Sequence, residues 1–142
     1  MLPNACPKPA RGSYTLAREA AEAEATELEI AVKKIVKARD WKCRWPQKHK
    51  CRKGLECAHL KDASLGGEIA TFNLILLCGW LHRRGPESIH SKDLKIEPLT
   101  ERGADGPCAF FVKIYSETRL GEYRWRCVAR ERAVGIVERA SK

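Results

Sequence analysis

The hydrophobic positions of this chain change period twice along its length. Over residues 15–39, Leu28, Ala31, Val32, Ile35 and Val36 recur at helical spacing in a stretch rich in Ala and Glu and free of Gly and Pro. This predicts a long helix with one apolar stripe. Ser13 or Thr15 can cap its start, and Glu19, Glu22 and Glu24 lie towards the positive end of its dipole. Lys33, Lys34, Lys37 and Arg39 crowd the other end, where cations are favoured. A packing arm or a dimerisation element is the plain use of such a helix. The residues before it, 1–12, carry three prolines and read as a flexible tail.

Beyond the helix the apolar residues come in short runs, as strands do. Residues 55–60 and 74–78 predict two strands separated by a glycine-containing loop at 61–71, and a short helix follows at 79–84. Residues 94–98 predict a third strand, and 109–115 with 122–128 a hairpin around the turn 118–121. The charged segment 129–140 reads as a short C-terminal helix. The expected fold is therefore α+β: a tail (1–12), a helical arm (13–40), a core (41–107), and a C-terminal hairpin with a short helix (108–142).

Composition narrows the class. With 142 residues, 44% hydrophobic and 32% charged, the chain can bury a modest single core. No run approaches the roughly 18 apolar residues of a membrane span, and the N-terminus lacks the apolar region of a secretory signal. The expectation is a soluble cytoplasmic protein with no membrane partner. Seven cysteines without an export signal point to metal binding or core filling rather than disulfides. Lys and Arg number 27 against 18 Asp and Glu, giving a net charge of +9 that attracts polyanions, nucleic acid first among them.

The candidate chemistry lies between Cys43 and His90, a window that holds all four histidines. It opens on a basic knuckle at 41–53, with six cations, Trp41, Trp45 and no acid. Then come Glu56-Cys57-Ala58-His59-Leu60, the pair Gly66-Gly67, Asn73-Leu74-Ile75-Leu76-Leu77-Cys78, His82 and His90. A strand ending in His, a Gly-Gly loop, Asn-Leu-Ile-x-Leu-Cys and a further His four residues on resembles the HNH endonuclease family, with its ββα-metal fold. Phage-associated members, which read Leu-Glu-x-Ala-His-Leu, are the most similar, and the stretch 96–107 looks like theirs. The resemblance covers roughly residues 38–111.

That resemblance implies roles for individual residues. His59 would be the general base that takes a proton from the attacking water, a role histidine fills more often than any other side chain. Asn73 would hold the loop and help orient His59. His82 would bind the catalytic divalent ion (magnesium, manganese, nickel or zinc), which steadies the scissile phosphate and leaving oxygen. Many family members carry a metal ligand directly before the base; here the residue is Ala58, which cannot coordinate. Glu56, Asp62 and His90 are the residues that could take its place. The implied outcome is cleavage of DNA to a 5′-phosphate and a 3′-hydroxyl, by a protein of phage or prophage origin acting near DNA packaging machinery. A homodimer through the long helix would suit a double-strand cut.

Two further features are open to more than one reading. Cys43, Cys51 and Cys78, with one of His49, Cys57 or His82, could hold a structural zinc; the alternative is that Cys57 and Cys78 simply fill the core. Lys42, Arg44, Lys48, Lys50, Arg52 and Lys53, extended by Arg83 and Arg84, could clamp phosphates. If about five of them do so, log affinity should fall against log salt with a slope of about −4 to −5. Cys6, Cys108 and Cys127 show no ligand spacing. Ala58, and Leu81 where a second Cys after Cys78 would fit, also support a rival function, a non-catalytic zinc module that binds nucleic acid. A third, an interaction protein, needs only the apolar stripe of the helix.

Overall fold

The computed structural model describes residues 14–138, so the expected tail at 1–12 and the cap at Ser13 lie outside the described residues. It divides into two compact units, the first ending at Ala31 and the second beginning at Val32. Helix α1 spans Tyr14–Asp40. In the first unit, described over 14–31, its turns are supported by an Arg18–Glu22 ion pair at 3.1 Å, and Leu16, Leu28 and Ile30 are exposed. In the second unit only Val32 and Val36 of the expected stripe are buried, whereas Ile35 is 55% exposed. The apolar seam is thus narrower than the sequence pattern, two residues one turn apart.

The second unit holds six strands. β1 (Leu55–His59) and β2 (Leu74–Cys78) pair antiparallel, with Leu55 opposite Cys78 and His59 opposite Leu74. β3 (Leu94–Pro98), β4 (Cys108–Tyr115), β5 (Tyr123–Ala133) and β6 (Ile136–Val137) form a second antiparallel sheet in that order. Every residue of β2 is buried, because its two faces serve different layers. Leu74 and Leu76 pack with Val32 and Val36 of α1, while Ile75 and Leu77 pack with Trp45, Ala58, Leu94 and Phe110. The hairpin is therefore a middle layer between the end of α1 and the larger sheet.

The segment after α1 lies along the free side of β2. Leu76 donates its N–H to Asp40 Oδ2 at 2.9 Å, Arg44 N–H reaches the Leu76 carbonyl at 2.9 Å, and Cys78 N–H points at Cys43 Sγ at 3.2 Å. These contacts satisfy an edge that would otherwise be left bare inside the protein.

Two expectations need correction. The short C-terminal helix expected at 129–140 does not form: β5 continues to Ala133, turns through Gly135 and returns as β6, and residues 139–142 lie outside the described residues. The reason is tertiary. Glu131 is buried and accepts from the Arg44 guanidinium, from Cys108 N–H at 3.0 Å and from Gly135 N–H at 2.8 Å. Strand alternation puts Glu131 inside between the exposed Arg130 and Arg132, which outweighs local helix propensity. The expected helix at 79–84 is a single wide, π-type turn, Trp80–Arg84. No described helix is long and apolar enough to cross a membrane.

Candidate metal centre and active-site cleft

Two glycines shape the approach to the site. Gly79 donates to the Gly54 carbonyl and Trp80 to the Arg52 carbonyl, pairing the residues before β1 with those after β2. A Cβ on Gly79 would lie 2.6 Å from the Lys53 carbonyl oxygen, so the pairing needs glycine. On the other side of β1, a Cβ on Gly67 would overlap the Lys61 carbonyl. This second constraint closes the 61–68 loop around Asn73.

The knuckle returns its sulfur and imidazole groups to one point. Cys43, His49, Cys51 and Cys78 bring their ligand atoms within 4.8 Å of one another, and among the described residues they are the only group of three or more His, Cys, Asp or Glu that does so. His49 Nε2 lies 3.5 Å from Cys43 Sγ, 3.4 Å from Cys51 Sγ and 3.7 Å from Cys78 Sγ. A tetrahedron with ordinary zinc–sulfur and zinc–nitrogen bonds has an S···N edge of about 3.5 Å. The donor set is soft, four in number and closed, which fits a structural zinc. The other ring nitrogen, Nδ1, lies 2.6 Å from the Gln47 carbonyl, the outer hydrogen bond that metal-binding histidines usually make. These four residues could therefore bind a metal ion such as zinc. His49, rather than Cys57 or His82, completes the set.

The thiols titrate differently. Burial pushes Cys43 up to about 12, and burial together with the Cys78 charge also raises Cys51. For Cys78 burial acts upward too, but backbone N–H groups of Leu81 and Arg52 and the His49 ring outweigh it and lower the thiol. Cys57 stands apart, packed beside Val32 and Val36.

Asn73 is 5% exposed and makes the contacts that hold the loop after β1. Its Oδ1 accepts from Lys61 N–H at 2.8 Å, and its Nδ2 donates to the carbonyls of Lys61 and Glu68 at 3.1 and 2.9 Å. Its own carbonyl accepts from Leu60 N–H at 2.8 Å. His59, the residue before Leu60, is thereby fixed at the mouth of the loop. Its Nε2 is buried and has no hydrogen-bond partner among the described residues. His59 lines a cleft of about 310 Å³ with Asp62, His90 and Lys92. An adjoining cavity of about 270 Å³, floored by Ala58, Ile75 and Leu94, shares His59, Asp62 and Lys92 with it.

The other residues named for a catalytic ion connect to this cleft in sequence. His90 meets His82 edge to face, with ring centroids 4.7 Å apart, and donates its backbone N–H to the His82 carbonyl at 3.0 Å. His82 Nδ1 lies 3.0 Å from Glu56 Oε1, and Arg83 grips both oxygens of the same carboxylate at 3.2 and 2.9 Å. Arg83, then His82, hold the Glu56 carboxyl below its usual range; burial lowers His82 despite Glu56, and the nearby His90 and Arg83 charges add to that. Glu56 thus orients His82 and has little left for a cation. Asp62 is 3.2 Å from Lys92 Nζ. Ala58 is buried in the core and supplies no ligand.

Most of the predicted phosphate-binding cations are exposed: Lys42, Lys48, Lys50, Arg52, Lys53, Arg83 and Arg84. Arg44 is the exception. Its guanidinium is buried and donates to Glu131 at 2.7 Å, to Asp40 at 3.2 Å, and to the carbonyls of Ala104 and Gly106 at 2.6 Å each. With Nε also on Glu131, all its donors are engaged, and none is left for a phosphate. Arg39 extends the same network to Asp105 at 2.8 Å and to the Leu74 carbonyl at 2.6 Å. This buried lattice joins α1, β2 and β5. Sequence reasoning missed it because the partners lie 87 positions apart.

No family model, curated protein or solved structure matches this chain.

Proposed function

We propose that the protein is a metal-dependent DNA endonuclease of the HNH type, with a zinc-stapled knuckle and a separate hydrolytic cleft. The observation that carries the reading is His59 itself. A buried imidazole nitrogen without a partner is uncommon in a folded protein, and the side chain that carries it lines a polar cleft, where an imidazole has a use as the acceptor of a proton. The β1–β2 hairpin followed by the Trp80–Arg84 turn supports the same reading, because His90, which lines the cleft with His59, also meets the His82 ring of the turn.

In this account His59 accepts the proton of the attacking water. His82 and His90 would hold the divalent ion, with Glu56 fixing the His82 ring through Nδ1. They are a pair rather than a closed cage, which suits an ion that keeps positions for water and phosphate oxygens. Such an ion supplies positive charge to the scissile phosphate and the leaving oxygen. Asn73 is a positioning residue. The exposed cations of the knuckle, with Arg84, face the phosphates of the substrate.

The test is plasmid cleavage by the zinc-loaded protein with magnesium, manganese, nickel or further zinc added in turn. Metal-dependent nicking in the wild type that disappears in His59→Ala, with DNA affinity retained, is the expected result. A second reading has one observation in its favour: Ala58 is part of the core and Glu56 is held by His82 and Arg83, so β1 offers no ready ligand beside the base. A nucleic-acid-binding zinc module would bind DNA and cleave it with none of these metals.

A further inference from the structure

The outer face of the C-terminal sheet carries an arrangement that the hydrolytic cleft does not use. Tyr115 and Tyr123 are opposite each other in the β4–β5 register, as are Lys113 and Trp125. Their rings adjoin, with Tyr115–Tyr123 centroids 6.2 Å apart and Tyr123–Trp125 centroids 6.0 Å apart. Tyr115 and Tyr123 are more than half exposed. Lys113 Nζ lies 4.1 Å from the Tyr123 ring centre and 5.4 Å from that of Trp125, and Lys95 Nζ lies 4.7 Å from that of Trp125. Aromatic rings of this size are normally covered in a protein that has no use for them at the surface.

The register irregularity between Phe110 and Phe111 gives this face its second property. Strand residues alternate between faces, and a bulge shifts the alternation by one. Before it, Tyr123 and Trp125 share the outer face; after it, Arg130 and Arg132 are exposed while Glu131 is buried. One face therefore runs from aromatic rings to arginines over nearly the whole of β5, about 30 Å of strand. Acids are few along it. Glu97 pairs with Lys95 at 2.9 Å, and Asp93, whose charge reaches Lys113, already accepts from Tyr115 and Ser91.

We propose that this face binds single-stranded nucleic acid, with unpaired bases stacking on Tyr123 and Trp125 and the phosphates following Lys113, Arg130 and Arg132. Rings interleaved with cations are the recognition chemistry of single strands, since every base has a stacking face and every linkage a negative charge. A duplex hides its bases in the stack and gains nothing from the rings. The face would thus hold an opened or displaced strand, a role that stands apart from the proposed hydrolysis.

The experiment measures fluorescence anisotropy of a labelled 20-nucleotide oligothymidylate and of an abasic phosphodiester chain of equal length, with no divalent metal added. Wild type and His59→Ala should both prefer the oligothymidylate by about tenfold or more. Trp125→Ala and Tyr123→Ala should each lose most of that preference, and Lys113→Gln should weaken both ligands alike. Equal binding of the two chains by the wild type, or a preference untouched in Tyr123→Ala, would overturn the proposal. Photocrosslinking of a bromouracil-substituted oligonucleotide to the wild type needs no variant to fold. Crosslinks on the peptide carrying Tyr123 and Trp125 support the face, and crosslinks confined to residues 41–60 contradict it. Because hydrolysis is silent without a metal, failure here leaves the His59 reading to its own assay.

Discussion

The knuckle and the cleft are built from overlapping residue types to opposite ends. In the knuckle, three thiols and one imidazole already stand within 4.8 Å of each other, with a backbone carbonyl behind the imidazole. In the cleft, His59 has an unpartnered nitrogen and Asp62 is held by Lys92, while His90 touches the ring of His82, whose Glu56 partner is held by Arg83. A closed set of donors holds a metal for the fold, whereas an open one leaves room for water and substrate. The contrast teaches that the knuckle should govern stability and the cleft should govern turnover.

The largest effect expected from this contrast is loss of the knuckle metal. Stripping zinc, or replacing Cys78 by Ser, should remove on the order of 10 kcal/mol of folding free energy. Calorimetry should then show no cooperative melt for the second unit, and readded zinc should restore it in the wild type alone. Next is Arg44→Met, which leaves Asp40 and Glu131 buried without their cation and should cost about 3–5 kcal/mol in urea unfolding. Adding Glu131→Leu should recover part of that loss. Asn73→Ala removes the three side-chain bonds that hold the 61–68 loop; about 2–3 kcal/mol is expected, with faster proteolysis inside the loop.

His59→Ala stands at the far end of the stability scale. Its Nε2 has no bond to lose, so the change should fall within about 1 kcal/mol while cleavage disappears. The smallest effect is a pH dependence. The Tyr115 hydroxyl, then Ser91, hold the Asp93 carboxyl below its ordinary 3.8. That stabilisation is present above the ordinary value and is lost as pH falls through the lowered one. Thermal melts of wild type and Tyr115→Phe should therefore differ slightly at neutral pH and converge in acid.

Much of the middle of the chain was legible from its pattern, because short buried strands between turn residues have few other solutions. α1, β1, β2, β3 and the start of the hairpin follow the apolar runs closely. The end of β5 did not, since Ala-Arg-Glu-Arg-Ala has helical propensity and only the distant Arg44 keeps Glu131 in a strand. For the same reason the sequence alone groups Arg44 with the phosphate-binding cations. Its neighbours in sequence are basic and exposed, and nothing local marks it as the buried member. At the knuckle, Cys43, Cys51 and Cys78 could be named from spacing, but the fourth ligand needed the fold, which turns His49 inward beside Gln47. The aromatic face was hidden because its residues alternate across two strands and change phase at a bulge.

The separation of the two sites is tested most directly by measuring zinc content and DNA cleavage on the same preparations. Native mass spectrometry of the wild type, His59→Ala and Cys78→Ser would be paired with plasmid cleavage in added magnesium or manganese. One zinc in the wild type and in His59→Ala, none in Cys78→Ser, and cleavage by the wild type alone is the predicted result. Loss of zinc in His59→Ala, or cleavage by that variant at the wild-type rate, would contradict the account.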